Sequence, residues 1–487
     1  MTDPRDPRGY AAEAPLLDAW LRFTAGTASG ALTPFSIPGH KHRTELVGEV
    51  VRGDVPLYAG LDTMKQTGGT LERAEALAAQ AWGADFCRFS VGGSSHANQA
   101  VMLALGQPGQ PVIVSRTLHR SVLIGLVLAG LRPVWVHPVP DAVTGLPAAV
   151  PPEAVRAALA AHPEACAVLL GDPSYVGTLS DIEGLAAAAH EAGVPLIVDQ
   201  AWAAYLGFSP LVPQHALARG ADALVTSAHK TLPAWSQGAL LLARTTRAGG
   251  LLDADRLQRG FDAGHTTSPA GAILASIDAS RALLQRDGEQ LIGRLVRLVA
   301  HAREVLSAVP GVQVLTGEGI DPAKLVVLLA GCGAHGHDVE AALLREGIAL
   351  EMADRDVLVP MVTVGDDDAS VARLLMALTA AIEEHRGLPR PMRPSPAWSV
   401  RAESALDPRA AFFAAHETVP AEAAVGRVCA ELIAPYPPGV PVLAPGEVIT
   451  AEVIAALQSV RADGGRIAYA ADPTLATFQV VAAPPAG

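Results

Sequence analysis

The chain has 487 residues, too many for one ordinary core, so we expect a large domain with one or two smaller ones. Half of its residues are hydrophobic and 17% are charged, which is typical of a globular protein that buries a large core. The formal net charge of −13 argues against nucleic acid as a partner, because phosphate binding needs a basic surface, and it suits a cationic small molecule only weakly.

The cysteines and the apolar runs narrow the class further. Four cysteines stand singly, with no C-x-x-C pair, so neither a disulfide scaffold nor a zinc site is indicated and we expect no metal. The amino terminus lacks the apolar stretch of a signal peptide, and the longest apolar run is too short to span a bilayer. These features predict a cytoplasmic protein without a membrane segment.

From about Ala81 to Leu242, short β-rich runs alternate with longer Ala- and Leu-rich runs, which predicts βαβ units and a mostly parallel sheet. The predicted strands are Pro111–Ser115, Pro133–His137, Ala167–Gly171, Pro195–Asp199, Ala223–Thr226 and Ala239–Ala243. The intervening runs Val155–Ala161 and Ile182–Ala192 predict helices. We therefore expect an α/β fold.

The rest of the chain predicts smaller units. Leu291–Val309 has the pattern of a long helix, an element that often leads from a large domain into a smaller one, and strand and helix patterns alternate again from Val312 to about Glu384. Gly387–Pro408 is rich in Pro, Arg and Ser without a period, which predicts a linker. A carboxy-terminal module follows, with an Ala-rich helical opening, a Pro/Gly-rich loop and a final α/β stretch.

Lys230 has the features of a catalytic or ligand-binding side chain. It lies in S-A-H-K-T, Ser227–Thr231, just after a predicted strand, and open α/β sheets bind ligands at the carboxyl ends of their parallel strands. A lone lysine is usually a solvated surface group. Here an apolar strand precedes it and Ser, His and Thr surround it, which favours a functional role.

Asp199 ends the strand-like run that begins at Val194. Taken alone, such a carboxylate caps a helix, binds a metal or pairs with a cationic ring nitrogen, and capping is the commonest of the three. The lysine at the end of the next strand makes the pairing with a cationic ring nitrogen more favourable than the sequence around Asp199 alone indicates. Pyridoxal-phosphate (PLP) enzymes need a lysine that binds the cofactor and an acid that faces its pyridinium nitrogen.

Two further segments suit such a cofactor. The glycine-rich turn in Ser90–Gln99 precedes a predicted helix, where free N–H groups and the hydroxyls of Ser94 and Ser95 would cradle a phosphate, although an ordinary capped loop explains it equally well. It matches neither G-x-G-x-x-G nor the Walker pattern, which argues against a dinucleotide or nucleoside triphosphate. His119, in S-R-T-L-H-R-S, would stack on a flat ring or be an ordinary structural histidine.

Taken in order, these segments resemble the Orn/Lys/Arg decarboxylase family, PLP enzymes of the aspartate-aminotransferase-like fold type I. The resemblance runs from Phe35 onward and is carried by F-S-I-P-G-H-K-H at Phe35–His42, G-G-S-S-H-A-N at Gly92–Asn98, D-P-S-Y-V-G at Asp172–Gly177, D-Q-A-W at Asp199–Trp202, S-A-H-K-T at Ser227–Thr231 and H-T-T-S-P-A-G-A-I-L-A-S-I-D-A-S-R at His265–Arg281. G-R-V-C-A-E-L-I at Gly426–Ile433 and Y-P-P-G-V-P-V-L-A-P-G-E at Tyr436–Glu447 resemble the family's own carboxy-terminal domain, which generic aminotransferases lack.

The resemblance implies a domain order. We expect an amino-terminal arm (1–55), a PLP-binding large domain with a mostly parallel sheet (56–290), a small α/β domain (291–386), the linker (387–408) and a carboxy-terminal α/β domain of the decarboxylase family (409–487). No receiver-like domain precedes Phe35, so the chain looks like the short form of the family. A homodimer or a dimer-based oligomer is implied, rather than the large rings that depend on that domain.

The resemblance also implies roles for individual residues. Lys230 would be the Schiff-base residue and Asp199 the partner of the pyridine nitrogen. The phosphate would be held by Ser94, Ser95, His96, Ser227 and His229, while His119 would stack on the ring and Trp202 would approach its hydroxyl. Two features depart from the pattern: D-Q-A-W-A stands where several relatives carry D-E-A-H-G, and His96 stands where a small hydroxyl residue is common.

The reaction implied is the decarboxylation of a basic L-amino acid, arginine, lysine or ornithine, to its amine and CO2. The cofactor would accept the electron pair, Asp199 would keep the ring nitrogen protonated, and Lys230 or His229 would return a proton to Cα. Glu447, at the end of a P-G-E turn, is the first candidate for the distal cation of the substrate, with helix capping as its alternative. Glu351, in G-I-A-L-E-M, is the second.

Two other functions stay open at this stage. One is another PLP reaction on the same fold, such as transamination or a different lyase step. An aminotransferase is expected to carry an arginine for the substrate carboxylate in its small domain, and we identify none. The other is a non-catalytic PLP-binding protein, against which the intact Lys230, Asp199 and Ser227 argue.

Overall fold

The computed structural model describes residues 13–55, 60–61, 69–393, 400–436 and 439–482. The chain divides into two compact units, one made of residues 1–104 and 197–292 and the other of residues 105–196 and 293–487. Residues 394–399 of the predicted linker and residues 437–438 of the carboxy-terminal motif lie outside the described residues. The five-part domain division stays a prediction.

The secondary structure alternates helix and strand through most of the chain. The helices are α1 (Pro15–Ala28), α2 (Thr44–Val47), α3 (Thr70–Ala81), α4 (Gly93–Ala104), α5 (Arg120–Ala129), α6 (Pro152–Ala161), α7 (Ile182–Glu191), α8 (Ala228–Thr231), α9 (Ala254–Gly264), α10 (Gly271–Ser307), α11 (Gly336–Arg345), α12 (Asp368–Glu384), α13 (Pro408–Phe413), α14 (Ala421–Ala424) and α15 (Ala451–Ala462). The strands are β1 (Phe86–Ser90), β2 (Pro111–Ser115), β3 (Arg132–Val136), β4 (Val168–Gly171), β5 (Leu196–Asp199), β6 (Ala223–Ser227), β7 (Ala239–Ala243), β8 (Gln313–Val314), β9 (Val327–Leu328), β10 (Met352–Ala353), β11 (Val357–Val359), β12 (His416–Pro420), β13 (Ala434–Tyr436), β14 (Arg466–Ala468) and β15 (Thr477–Val481).

The central sheet has the strand order β1-β7-β6-β5-β4-β2-β3. β2 pairs in parallel with β3 and β4, β5 pairs in parallel with β6, and β7 is antiparallel to both of its neighbours. Every residue of β2, β5, β6 and β7 is buried, as expected of strands covered on both faces. The mostly parallel sheet is therefore confirmed, and the register that places Asp199 opposite Val225 brings the carboxyl ends of β5 and β6 side by side.

The six predicted strands correspond to β2 through β7, each within one residue at either end. The predicted long helix was wrong at its start, because α10 begins at Gly271 rather than at Leu291. Gly288, which looks like a break in the helical pattern, lies inside α10 and packs closely on Phe208, whose Cβ would lie 3.2 Å from any Cβ added at the glycine. β1 was missed. It is a short strand at one end of the sheet order, paired antiparallel with β7.

The carboxy-terminal third of the chain has smaller sheets. β10-β11-β9-β8 form an antiparallel sheet, and β12 pairs with β15 and β13 with β14. One hydrophobic core includes Leu328 and Val359 from the four-stranded sheet together with Ile433, Leu457 and Phe478 from the carboxy-terminal segment. The segment after the linker is thus packed into its unit rather than standing apart from it. Within the part of the chain that the structure describes, no helix combines the length and apolar character needed to cross a bilayer.

A buried ion pair anchors the first helix. The backbone N–H of Leu16, at the start of α1, donates to Oδ2 of Asp278 over 2.9 Å. Arg281, one turn further along α10, contacts the other carboxylate oxygen of Asp278 and the carbonyl of Glu13. Both charged side chains are buried, and burial raises the pKa of Asp278 although Arg281 opposes this shift. The segment around Asp278 therefore fixes the start of α1.

Replacing Arg281 with Met should destabilise the protein strongly, because the carboxylate of Asp278 would be left buried without its cation. Breaking a buried pair from one side costs about 3–5 kcal/mol of unfolding free energy. Thermal and urea unfolding followed by circular dichroism would measure the loss.

Arg247→Met is the matched control, because its partner Asp255 and Arg247 itself are both well exposed, and it should change stability little. The double variant Asp278→Asn/Arg281→Met should recover part of the loss. Equal effects of Arg281→Met and Arg247→Met would show that the buried pair does not anchor α1.

Candidate active site

Lys230 lies where the sequence predicts it. β6 ends at Ser227 and the short helix α8 carries Lys230 at the carboxyl end of the strand. Its Nζ lies 3.7 Å from the centroid of the Trp202 ring, close enough for a cation–π contact. Trp202 follows Asp199, the last residue of β5, and β5 is the parallel neighbour of β6. The structure thus brings together Lys230, Trp202 and the end of the strand that carries Asp199.

Asp199 is a buried acid whose hydrogen-bond partners are neutral. Its side chain is 7% exposed. The side-chain amide of Asn98 donates to Oδ2 over 2.8 Å, and the backbone N–H of Ala201 donates to Oδ1 over 3.2 Å. Burial raises the pKa of Asp199, against the opposing effects of the Asn98 hydrogen bond and the charge of Lys230. A carboxylate has about four acceptor positions, so this acid fits a protonated ring nitrogen as a further donor.

The residues predicted to cradle a phosphate lie at the start of α4 and at the end of β6. The hydroxyl of Ser94 lies 2.7 Å from that of Ser227, and both residues are buried. Gly93 has a φ of 70°, which disfavours any side chain, and its N–H donates to the carbonyl of Gln237. Ser95 is exposed in the same turn. Two hydroxyls and the N–H groups at a helix start are the donors that a phosphate requires.

His96 does not have the geometry of a phosphate ligand. Its Nδ1 lies 2.9 Å from the hydroxyl of Ser90 and its Nε2 lies 2.9 Å from the carbonyl oxygen of Phe261, on α9. Because a carbonyl only accepts, Nε2 carries the hydrogen and Nδ1 accepts from Ser90. Both nitrogens are used inside the protein and the ring packs on Phe261. This arrangement favours a role in joining α4 to α9 over the predicted contact with phosphate.

His229 is half-buried beside Lys230. Its Nδ1 lies 2.9 Å from the carbonyl oxygen of Gly238, so Nδ1 carries the hydrogen and Nε2 is an acceptor in the neutral ring. Burial lowers the pKa of His229, the Gly238 hydrogen bond opposes that shift, and the charge of Lys230 adds to it. A neutral ring is thereby favoured, which makes His229 a poorer proton donor than the sequence implies.

His119 belongs to the other unit, where it precedes α5. Its Nδ1 accepts the backbone N–H of Ser121 over 3.2 Å and lies 2.9 Å from the hydroxyl of the same serine. His119 is therefore the N-cap of α5, and its side chain is exposed. Its stacking role stays a prediction.

Glu447, the first candidate for the substrate cation, is 1% exposed. Its Oε2 accepts from Arg116 over 2.9 Å and from the backbone N–H of Ala444 over 2.8 Å. Burial raises the pKa of Glu447, and Arg116 opposes this shift. The alternative of helix capping is also not seen, since Thr450 caps α15. The geometry favours an internal ion pair over the predicted contact with substrate.

Glu351, the second candidate, is exposed and accepts a hydrogen bond from the hydroxyl of Tyr175 over 3.0 Å. Tyr175 belongs to the D-P-S-Y-V-G motif. Burial raises the pKa of Tyr175, so the phenol keeps its proton and remains a donor. The named partner of Glu351 is a neutral phenol rather than an arginine, which makes Glu351 the better of the two candidates.

Asn98, Tyr175 and Arg116 contact predicted site residues but were not predicted as site residues themselves. Asn98 and Tyr175 lie inside quoted motifs, and Asn98 stands four residues after Ser94, a spacing that places both on one helix face. That spacing was a usable signal. For Arg116 the sequence offers none, because its partner Glu447 is 331 positions away.

Two domain models of one protein family match this chain. Residues 28–342 match the family model for the Orn/Lys/Arg decarboxylase major domain, and residues 396–464 match the model for the family's C-terminal domain. The arginine decarboxylase of Halalkalibacterium halodurans is 33% identical over 92% of this chain and 94% of its own length. The arginine decarboxylase of Bacillus subtilis is 32% identical over 88% of this chain and 90% of its own length.

Among solved structures, the lysine decarboxylase of Francisella novicida superposes with a TM-score of 0.78 at 21% identity, over 97% of this chain and 81% of the other. At that identity the likeness concerns the fold, and it confirms the predicted fold type I class. The two family models and the full-length relatives identify the family. The chain belongs to the Orn/Lys/Arg decarboxylase family, whose members are PLP-dependent amino-acid carboxy-lyases.

Proposed function

We propose that this protein removes the α-carboxyl group of a basic L-amino acid, with arginine as the favoured substrate. The observation that carries the proposal is the arrangement of Lys230 and the buried Asp199 at the ends of two adjoining parallel strands. Two relatives that align over most of the chain are named arginine decarboxylases, which favours arginine over lysine and ornithine. The match of residues 396–464 to the family's C-terminal domain argues against an aminotransferase.

The residues at this site fit PLP. Lys230 would carry it, Asp199 would face its ring nitrogen, and Ser94, Ser95 and Ser227 would hold its phosphate. When bound, PLP supplies an electron sink for the pair released with CO2. Trp202, whose ring lies 3.7 Å from Nζ of Lys230, limits where the amine of Lys230 can lie. His119 remains our candidate for the ring face.

Lys230 is the proposed donor of the proton that replaces the carboxyl group at Cα. The face of Trp202 lies 3.7 Å from Nζ of Lys230 and would stabilise the amine in its protonated form, which has a proton to give. His229 is less suited, because burial lowers its pKa and its Nδ1–H is engaged by the carbonyl of Gly238. Asp199 has the separate task of keeping the hydrogen on the ring nitrogen.

Glu351 is the proposed partner of the substrate's distal cation. A guanidinium prefers an ionised carboxylate to which it can donate two parallel hydrogen bonds. Glu351 is exposed and its named partner is a neutral phenol, whereas Glu447 already receives a guanidinium from Arg116. Tyr175 would hold the Glu351 carboxylate in place without neutralising it.

We further propose that the protein works as a cytoplasmic homodimer. Large apolar side chains are exposed along one stretch near the amino terminus, with Phe35 94% exposed, and a second copy of the chain would cover them. The others are Leu32, Ile37, Leu46, Val47 and Val50.

All four cysteines are free thiols, which suits a reducing compartment such as the cytoplasm.

Purified protein reconstituted with PLP should release CO2 and agmatine from L-arginine faster than it releases CO2 and the corresponding amines from L-lysine and L-ornithine. Lys230→Ala should lower the arginine rate by at least about a hundredfold, because the proposed proton donor and cofactor attachment are removed together. Amine chromatography and CO2 trapping would measure both.

Borohydride treatment followed by peptide mapping supplies an internal control within the same sample. The cofactor should be fixed to the peptide that contains Lys230 and not to the one that contains Lys324, which is a buried lysine. Cofactor fixed on Lys230 without CO2 from any of the three amino acids would leave a PLP protein but overturn the proposed reaction.

Glu351 and Glu447 should respond differently to truncation. Glu351→Gln should raise KM for arginine about tenfold, because an ionised partner of the cation is lost, and should leave thermal stability unchanged. Glu447→Ala should lower stability, because Arg116 would keep a buried charge without its partner, and should leave KM unchanged. Steady-state kinetics and thermal unfolding separate the two. A raised KM in Glu447→Ala at unchanged stability would show that Glu447, and not Glu351, binds the substrate cation.

A further inference from the structure

Asn98 is a buried amide that contacts a proposed cofactor residue. It is 1% exposed, and its Nδ2–H donates to Oδ2 of Asp199 over 2.8 Å. The other oxygen of Asp199 accepts from the backbone of Ala201. Ionised carboxylates are costly to bury unless donors surround them, and both of these donors are neutral. They orient the carboxylate without consuming its charge.

The helix that carries Asn98 also carries the phosphate cradle. Ser94 and Asn98 are four residues apart on α4 and so share one face. Ser94 bonds to Ser227 at the end of β6, and Asn98 bonds to Asp199 at the end of β5. One rigid element therefore contacts both the group proposed for the phosphate and the group proposed for the ring nitrogen.

The position of α4 is itself fixed by packing. A Cβ at Gly260, on α9, would lie 2.3 Å from the carbonyl oxygen of Ala100, so the two helices approach as closely as their backbones allow. His96 adds a hydrogen bond from α4 to the carbonyl of Phe261. Asn98 is thus held on a helix that packing fixes in place, not on a loop that can move away.

We infer that Asn98 is a positioning residue for the cofactor, whose amide holds the Asp199 carboxylate ionised and in place so that it can keep the ring nitrogen of PLP protonated. A lysine or arginine at this position would neutralise Asp199 and compete with the ring nitrogen for it. An amide stabilises the ionised form over the protonated one, because Nδ2–H can only donate. The inference rests on the proposed function, in which Asp199 is the ring-nitrogen partner.

The test uses PLP labelled with 15N at the ring nitrogen, bound to the protein without substrate and observed by NMR across a pH series. Asn98→Leu keeps much of the volume and removes the donor, and Asn98→Ala removes the donor with a smaller side chain. In both variants the ring nitrogen should lose its proton at a lower pH than in the wild type, by about one pH unit, a tenfold change in the ratio of protonated to unprotonated cofactor. Asn98→Ala provides the answer if Asn98→Leu does not fold.

Val101→Ala is the matched control. Val101 is fully buried on the same helix, so its truncation costs packing and lowers thermal stability without touching Asp199. The 15N titration of this variant should match the wild type. In steady-state assays the Asn98 variants should lose kcat by about tenfold with little change in KM, because the proton on the ring nitrogen matters for the reaction and not for substrate binding.

Asp199→Ala separates failure of the inference from failure of the proposed function. If Asp199→Ala lowers the pH at which the ring nitrogen loses its proton and neither Asn98 variant does, Asn98 has no positioning role and the inference is wrong. If Asp199→Ala leaves the titration unchanged, Asp199 is not the ring-nitrogen partner, and the proposed assignment of the site falls with it.

Discussion

The close approach of α4 and α9 at Gly260 is the constraint on which the candidate site depends. Because Gly260 has no side chain, the backbone of α9 can approach the carbonyl of Ala100 on α4. The hydrogen bond from His96 to the carbonyl of Phe261 joins the same two helices. This fixes the face of α4 that presents Ser94 to Ser227 and Asn98 to Asp199. The sheet supplies the two strand ends, and the packed helix decides which groups meet them.

Burial alone does not reveal which acids serve a ligand. Burial raises the pKa of Asp199, Asp278 and Glu447 alike, but the three carboxylates have different partners. Asp278 and Glu447 are each paired with an arginine of the chain, so their charge is used within the fold. Asp199 accepts hydrogen bonds from an amide and a backbone N–H, and unlike the other two it is not paired with an arginine, although the charge of Lys230 acts on it. Because its hydrogen-bond donors are neutral, Asp199 is the candidate among these three acids for binding a cationic ligand.

The sequence could predict what depends on local pattern. Buried strands with turn signals identified β2 through β7, and the positions of Lys230 and Asp199 after two of them followed from the parallel sheet. It could not predict contacts between distant parts of the chain: Glu447 meets Arg116 across 331 positions and His96 meets Phe261 across 165. In the sequence, a P-G-E turn looks exposed and a histidine in a glycine-rich turn looks like a phosphate ligand. Tertiary packing gave both residues other partners.

The carboxy-terminal motif has a structural role in the fold, because Glu447 is paired internally with Arg116. Arg116 directly follows β2, and it is held by Glu447, by the carbonyl of Val442 and by the face of Trp135. Three residues later His119 caps α5. The carboxy-terminal segment thus fixes the short connection between β2 and α5, which carries the histidine proposed for the cofactor's ring face. The carboxy-terminal signature thus has a structural role within its own unit, where the pair of Glu447 and Arg116 holds the residues that lead into α5.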